Sequence, residues 1–146
     1  MNTVSIGDIG ESFAIAKFTR KNFIVSKPLS NNARYDLIVE INGKLYKVQV
    51  KSTNSIKNGK MSFATKTTNY NKGSWASIAY SPEEIDLFFL YCLSNNWCGL
   101  YFPDKSSNVP VELNLRVDLP RNGQKTGIKF AKDFEFEKQI ATLKST

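Results

Sequence analysis

The chain contains a carboxylate, an amide and an ammonium group at a spacing suited to metal-assisted hydrolysis: Asp36, Gln49 and Lys51. Carboxylate oxygens and a backbone carbonyl can bind magnesium, which polarises a phosphate and lowers the pKa of bound water. A neighbouring lysine can help to deprotonate or orient that water and stabilise the developing negative charge. Glu11 can add a second carboxylate from a preceding helix. This combination of carboxylates, amide and lysine predicts phosphodiester hydrolysis. The alternative is a surface ion pair between Asp36 and Lys51, with Glu11 a solvated helix residue.

Two predicted strands position these groups. The runs Tyr35–Ile41 and Lys44–Lys51 flank Asn42-Gly43, which is the strongest short signal for a two-residue hairpin turn. With that turn, Asp36 is expected directly opposite Gln49, and the lysine two residues further on points to the same face. The other face carries apolar residues suited to a core: Leu37, Val39, Tyr46, Val48 and Val50.

The remaining pattern predicts an order of helix, several strands and a final helix. Ser5 and Asp8 resemble a capping box, so a helix is expected to run from there to about Arg20. Further strands are expected near Met61–Lys66, over Asp86–Leu93 and Cys98–Phe102, and over Val111–Leu119. A terminal helix is indicated by Phe134, Ile140 and Leu143. This order predicts an α+β or α/β sandwich.

Composition excludes several classes of mechanism. The 146 residues include no histidine and only two cysteines, Cys92 and Cys98. A histidine base, a zinc site using imidazole and a disulfide scaffold are therefore excluded, and any metal must be a hard cation held by oxygens. The length suits one domain over residues 1–146. We expect a cytoplasmic protein that is not secreted, because the sequence shows neither a signal peptide nor a membrane span.

Positive charge is concentrated in the first half of the chain. Residues 1–73 carry 12 basic and 4 acidic side chains, whereas residues 74–146 carry 8 and 9. Seven lysines and no acid lie between Ile41 and Pro82. Such a cluster attracts a polyanion through counterion release, and a solvated lysine-rich face is the alternative.

Three groups of residues resemble the PD-(D/E)xK nuclease superfamily. They are Gly7-Asp8-Ile9-Gly10-Glu11, then Arg34-Tyr35-Asp36-Leu37, then Tyr46 through Lys51. Within the superfamily the chain is most similar to intron-encoded homing endonucleases of cyanobacterial and phage type, in which glutamine also replaces the middle acid. The stretches Tyr80–Asp86, Leu115–Asp118 and Asn122–Lys125 resemble the same group. The resemblance covers most of the chain.

This resemblance implies a restriction-endonuclease-like α/β domain, with a mixed central sheet flanked by helices. It implies a magnesium-dependent DNA endonuclease in which Glu11, Asp36, Gln49 and Lys51 occupy the motif positions. Glu11, Asp36 and the Val50 carbonyl are then the expected metal ligands, with manganese able to replace magnesium. The amide of Gln49 adds no charge, so metal affinity should be weaker than with an acid there.

Double-stranded DNA is the expected partner, and a set of basic and amide residues is expected to contact it. These are Lys57, Lys60, Lys66, Lys72, Arg121, Asn122, Gln124, Lys125 and Lys129. The alternatives are a Holliday-junction resolvase or repair nuclease of the same fold, and a non-catalytic DNA-binding module. A homo-oligomer is expected because one site cuts one strand. A dimer is the smallest simple solution, and the resemblance implies a tetramer. The exposed side of the two aromatic strands over residues 86–102 is a candidate for its interface.

Overall fold

Ten strands and three helices form the part of the chain that the computed structural model describes, residues 2–120, 122–123 and 126–144. In chain order they are α1 (Thr3–Arg20), β1 (Ile24–Ser26), β2 (Leu37–Ile41), β3 (Lys44–Thr53), β4 (Lys60–Ala64), β5 (Lys66–Asn71), β6 (Ser74–Ala79), β7 (Leu87–Cys92), β8 (Trp97–Tyr101), β9 (Glu112–Arg116), β10 (Lys129–Phe130), α2 (Ala131–Phe134) and α3 (Phe136–Lys144). Within these ranges no helix has the length and apolarity needed to span a membrane.

The strands assemble into two sheets and a separate hairpin. The larger sheet has the order β1-β2-β3-β7-β8, in which β3 and β7 are parallel and the other neighbours antiparallel. A smaller sheet has the order β10-β9-β4, and β5 and β6 pair only with each other. A mixed central sheet with flanking helices confirms the fold class expected from the sequence.

Helices cover one face of the larger sheet. Phe18 of α1 and Phe136 of α3 are fully buried, and their rings meet edge to face with centroids 5.5 Å apart. Both rings also contact Phe89 of β7, at 5.7 and 5.9 Å. Val48 and Leu37, from the paired strands β3 and β2, complete this core. The alternating apolar residues predicted for the hairpin therefore do form a core face.

The smaller sheet covers the opposite face. Met61 and Phe63 of β4 are buried in one cluster with Phe88 and Leu90 of β7. Because both faces of β7 are covered, all six of its residues are buried. The expectation that the aromatic strands expose an interface is therefore wrong for β7, whose aromatic rings belong to the two cores.

Three predicted boundaries are also wrong. Asn2 is the N-cap of α1, since its side-chain oxygen accepts the N–H of Ser5 at 2.9 Å, so Ser5 lies inside the helix. The strand expected over Met61–Lys66 is interrupted at buried Thr65, whose N–H and hydroxyl bond to carbonyls of the segment before β9. The strand expected over Val111–Leu119 is limited to β9.

Candidate active site

The hairpin opens at Asp36, just before the first residue of β2. The turn produces the predicted register, in which Leu37 pairs with Val48 and Ile41 with Lys44. Beyond Val48 the ladder ends, because the Asp36 N–H donates to the Val48 carbonyl and the Asp36 carboxylate accepts the N–H of Val50, both at 2.9 Å. The expected pairing of Asp36 with Gln49 is therefore not formed. Strand β3 continues to Thr53 alongside β7. Beyond Val48, the edge of β3 that faces away from β7 therefore lies beside the Asp36 carboxylate.

The Asp36 carboxylate lies in an environment that disfavours its charge. Burial raises its pKa, the charge of Glu11 raises it further, and the Val50 N–H and the charge of Lys51 oppose these effects. Glu11 and Lys51 thus both act on the same carboxylate, although they come from α1 and β3. The structure brings the predicted carboxylates and lysine into one electrostatic neighbourhood.

Strand β3 divides its residues between the core and the site. Val48 and Val50 are buried on the helical side, whereas Gln49 and Lys51 are half-buried on the other side. The Lys51 ammonium donates to the Lys66 carbonyl at 3.0 Å, and it lies 5.3 Å from the centroid of the Tyr80 ring. The predicted face is confirmed for the lysine, and its two contacts come from the base of the β5–β6 hairpin.

Close packing of α1 on β3 places Glu11. Gly10 is buried, and a Cβ atom at that position would lie 2.0 Å from the Ser52 hydroxyl, so a larger residue fits there only if that hydroxyl moves. Glu11 forms an ion pair with Lys27. The hydrogen bond and charge of Glu11 raise the pKa of Lys27. Sequence reasoning missed Lys27, because it lies in the loop after β1 and its spacing matches no motif.

The oxygen donors fit a hard divalent cation only as a mixed set. Among the residues described, no group of three or more Cys, Asp or Glu side chains could hold a metal ion. Glu11 and Asp36 supply two carboxylates, so an amide oxygen at Gln49 or a carbonyl at Val50 is needed to extend the set. Burial raises the pKa of Asp36 and the charge of Glu11 raises it further, and a cation bound between the two carboxylates would oppose both effects.

Arg34 and Tyr80 are further members of this neighbourhood. The Arg34 guanidinium forms an ion pair with Glu84 at 3.1 Å and lies 4.6 Å from the centroid of the Tyr80 ring. It also donates to the Ala79 carbonyl at 3.2 Å. Arg34 and Tyr80 belong to the stretches that carry the family resemblance, but no local spacing predicts their contact, because they lie far apart in the chain.

The expected DNA-contacting residues fall into two surfaces. Lys60, Asn122 and Lys129 line one cleft of about 650 Å³ together with Arg116, and Lys57 pairs with Lys60 at its border. Lys66 and Lys72 lie instead on the β5–β6 hairpin. Arg121, Gln124 and Lys125 lie outside the described residues.

Residues 1–137 match the family model described as PD-(D/E)XK endonuclease. The chain belongs to the PD-(D/E)XK endonuclease family. Among solved structures, this nuclease is similar to the bacterial homing endonuclease I-Ssp6803I, with 25% identity and a TM-score of 0.76. That match covers 99% of this chain and 95% of the other. A search of curated proteins finds no match. The PD-(D/E)XK chain and the homing endonuclease therefore share their fold over nearly their whole lengths.

Proposed function

We propose that this PD-(D/E)XK nuclease is a site-specific, magnesium-dependent homing endonuclease that hydrolyses phosphodiester bonds of double-stranded DNA. The observation that supports it best is that the charges of Glu11 and Lys51 both act on the Asp36 carboxylate, at the point where the pairing of β2 with β3 ends. Its fold is similar over nearly the full length to that of a homing endonuclease, which favours this activity over the others known for the fold.

Each group has a role that its chemistry permits. Asp36 and Glu11 would hold the cation, and the Val50 carbonyl and Gln49 amide are neutral oxygens that would extend the set. When bound, magnesium polarises the phosphate and lowers the pKa of a coordinated water. Lys51 orients the attacking water and stabilises negative charge on the phosphate as the new P–O bond forms and the bond to the leaving sugar oxygen breaks. Manganese can serve in place of magnesium.

Lys51→Met tests the catalytic assignment, and Lys44→Met is its matched control. Both lysines lie on β3, but Lys44 is exposed beside the hairpin turn. We expect Lys51→Met to slow single-turnover cleavage by about a hundredfold or more, as for the loss of one charge-stabilising donor, and Lys44→Met to cleave normally. Normal cleavage by folded Lys51→Met would refute the assignment.

Substrate and metal controls separate the alternatives. Purified protein is incubated with linear duplexes and four-way junctions, first in excess chelator and then with magnesium, manganese or calcium restored. Cleavage of linear DNA at one sequence, only with magnesium or manganese, supports the proposal. Preferential cutting of junctions would instead indicate a resolvase, and binding without cutting under all conditions would indicate a DNA-binding module.

The two basic surfaces are proposed to bind the DNA backbone. Lys60 and Lys129 contribute the cleft, and Lys66 and Lys72 the hairpin. All but Lys129 come from the stretch between positions 41 and 82, which contains no acidic residue. Replacing either pair by glutamine should lower the slope of log affinity against log salt by about two. The control pair Lys132→Gln/Lys138→Gln, on α2 and α3, should leave the slope unchanged. An unchanged slope in both test pairs would place the DNA elsewhere.

A homo-oligomer, a dimer or a tetramer, is proposed because one site cuts one strand of a duplex. A compact chain of this length has a diameter of about 38 Å and covers roughly 11 base pairs. A rare target needs a longer site, which more than one subunit must contact. Light scattering across concentrations tests this, and a monomer mass with single-turnover cutting first order in protein would refute it.

A further inference from the structure

The base of the β5–β6 hairpin closes one side of the candidate active site. Lys66, the first residue of β5, accepts a hydrogen bond from the Lys51 ammonium at 3.0 Å. Ala79, the last residue of β6, accepts one from the Arg34 guanidinium at 3.2 Å. Tyr80 follows Ala79 directly, and its ring lies close to both the Lys51 ammonium and the Arg34 guanidinium. Both ends of the hairpin and the residue after it therefore contact the two basic side chains beside Asp36.

Tyr80 is held rigidly at this point. Its side chain is only 4% exposed, and its ring meets Phe88 of β7 edge to face at 5.7 Å. Its phenolic oxygen accepts the Thr67 hydroxyl at 2.9 Å, which ties the ring to β5. The Lys51 nitrogen lies 5.3 Å from the ring centroid, within the range of a cation–π interaction.

We propose that Tyr80 is a positioning residue for Lys51. A lysine side chain has a flexible four-carbon stem and three N–H donors, so its ammonium needs external contacts to point in one direction. The Lys66 carbonyl takes one donor, and the negative face of the ring attracts the charge. These two contacts direct the remaining donors to the water and phosphate. The inference rests on the proposed role of Lys51.

Two substitutions distinguish positioning from packing. Tyr80→Phe keeps the ring and its packing on Phe88, and it loses only the bond to Thr67. Tyr80→Leu keeps an apolar side chain but removes the π-face. We expect Tyr80→Leu to lower the single-turnover rate at saturating DNA roughly three- to thirtyfold, the range of a cation–π contact, with DNA affinity within about twofold of the unmodified protein. Tyr80→Phe should stay close to the unmodified rate.

A Lys51→Met background shows whether the effect passes through the lysine. If Tyr80 acts on Lys51, then Tyr80→Leu has no further effect once Lys51 is already methionine. The same fold-loss in both backgrounds would overturn the proposal, as would an undiminished rate in folded Tyr80→Leu alongside a strong Lys51→Met defect. Normal cleavage by folded Lys51→Met would refute the role of Lys51 and the inference with it, whereas no cleavage by the unmodified protein would count against the proposed function. Both results differ from a strong Lys51→Met defect with an undiminished Tyr80→Leu rate, which overturns the inference alone.

A measurement on the unsubstituted protein does not depend on how Tyr80→Leu folds. Protons on the carbon next to a nitrogen above an aromatic ring resonate upfield. Four other lysines also lie over aromatic rings, so we expect several upfield-shifted lysine ε-methylene signals in a 13C-resolved NMR spectrum. One of these signals should vanish in Lys51→Met and persist in Tyr80→Phe. A spectrum in which Lys51→Met removes no upfield-shifted ε-methylene signal would overturn the contact.

Discussion

Gly10→Ala tests whether α1 packs on β3 as closely as the structure has it. A Cβ at Gly10 would lie 2.0 Å from the Ser52 hydroxyl oxygen, 3.4 Å from the Ser52 Cβ and 3.5 Å from Val50 Cγ1. The same substitution at Gly7, in the same helix, meets nothing within 4 Å. Gly7→Ala is therefore a matched control that changes helix propensity without changing any contact.

The expected magnitudes follow from these distances. Alanine in a helix interior is about 1 kcal/mol more favourable than glycine, so Gly7→Ala should raise the free energy of unfolding by about that amount. Gly10→Ala gains the same propensity but overpacks the interface, which costs about 1–3 kcal/mol. Its net effect is therefore a loss of about 0–2 kcal/mol. Removing the hydroxyl with Ser52→Ala leaves only contacts of ordinary van der Waals length.

The assay is a double-mutant cycle in denaturant, with cleavage measured on the same proteins. In the Ser52→Ala background, Gly10→Ala should stabilise the chain as Gly7→Ala does, giving a coupling of about 1–3 kcal/mol. Cleavage should fall in Gly10→Ala, because the next residue is Glu11, and recover in the double variant. The reasoning is refuted if Gly10→Ala stabilises the chain as much as Gly7→Ala when Ser52 is intact.

Three shorter predictions concern single groups. Lys27→Gln removes the cation paired with Glu11, so manganese binding in the absence of DNA, followed by electron paramagnetic resonance, should tighten several-fold; equal affinities would contradict this. Burial raises the pKa of Asp36 above its unfolded value, so Asp36→Asn should stabilise the metal-free protein at pH 7. This gain in stability should shrink as the pH falls through the folded and then the unfolded pKa of Asp36. Denaturant midpoints that show the gain growing as the pH falls would contradict this. Burial raises the pKa of Cys98 to about 11, so alkylation at pH 8, followed by mass spectrometry, should be far slower in the native than in the denatured protein; equal rates would show that the thiol is open.

Features fixed by neighbouring residues could be predicted from the sequence. The Asn42-Gly43 turn is one, since both residues adopt positive φ, 53° and 80°, which asparagine and glycine tolerate. That turn sets the register, and the register puts Lys51 on the correct side of β3. The resemblance to the family, and with it the fold, could also be recognised from the sequence, because each family motif is a short run of neighbouring residues.

Features that depend on distant partners could not be predicted. The break at Thr65 depends on the Pro110 carbonyl, which accepts its hydroxyl from 45 positions further along the chain. The contact between Lys51 and Tyr80 likewise requires the hairpin that separates them, and nothing in the intervening composition indicates that this hairpin turns back onto the site. Asp36 does not pair with Gln49 because its side chain accepts the Val50 N–H. Strand periodicity does not represent this local competition between side-chain and ladder hydrogen bonds.

The parallel pairing of β3 with β7 has a consequence for synthesis on the ribosome. Val48 pairs with Leu87 and Thr53 with Cys92, so β3 cannot pair with β7 until these later residues have been synthesised. Translation at about 5–20 residues per second leaves the nascent chain without this support for several seconds after Lys51 has been added. Glu11, Asp36 and Lys51 are all made within the first 51 residues, yet the five-stranded sheet that holds Lys51 can form only after β7 has been made. A growing polypeptide should therefore be inactive as a nuclease until its β7 segment has left the exit tunnel.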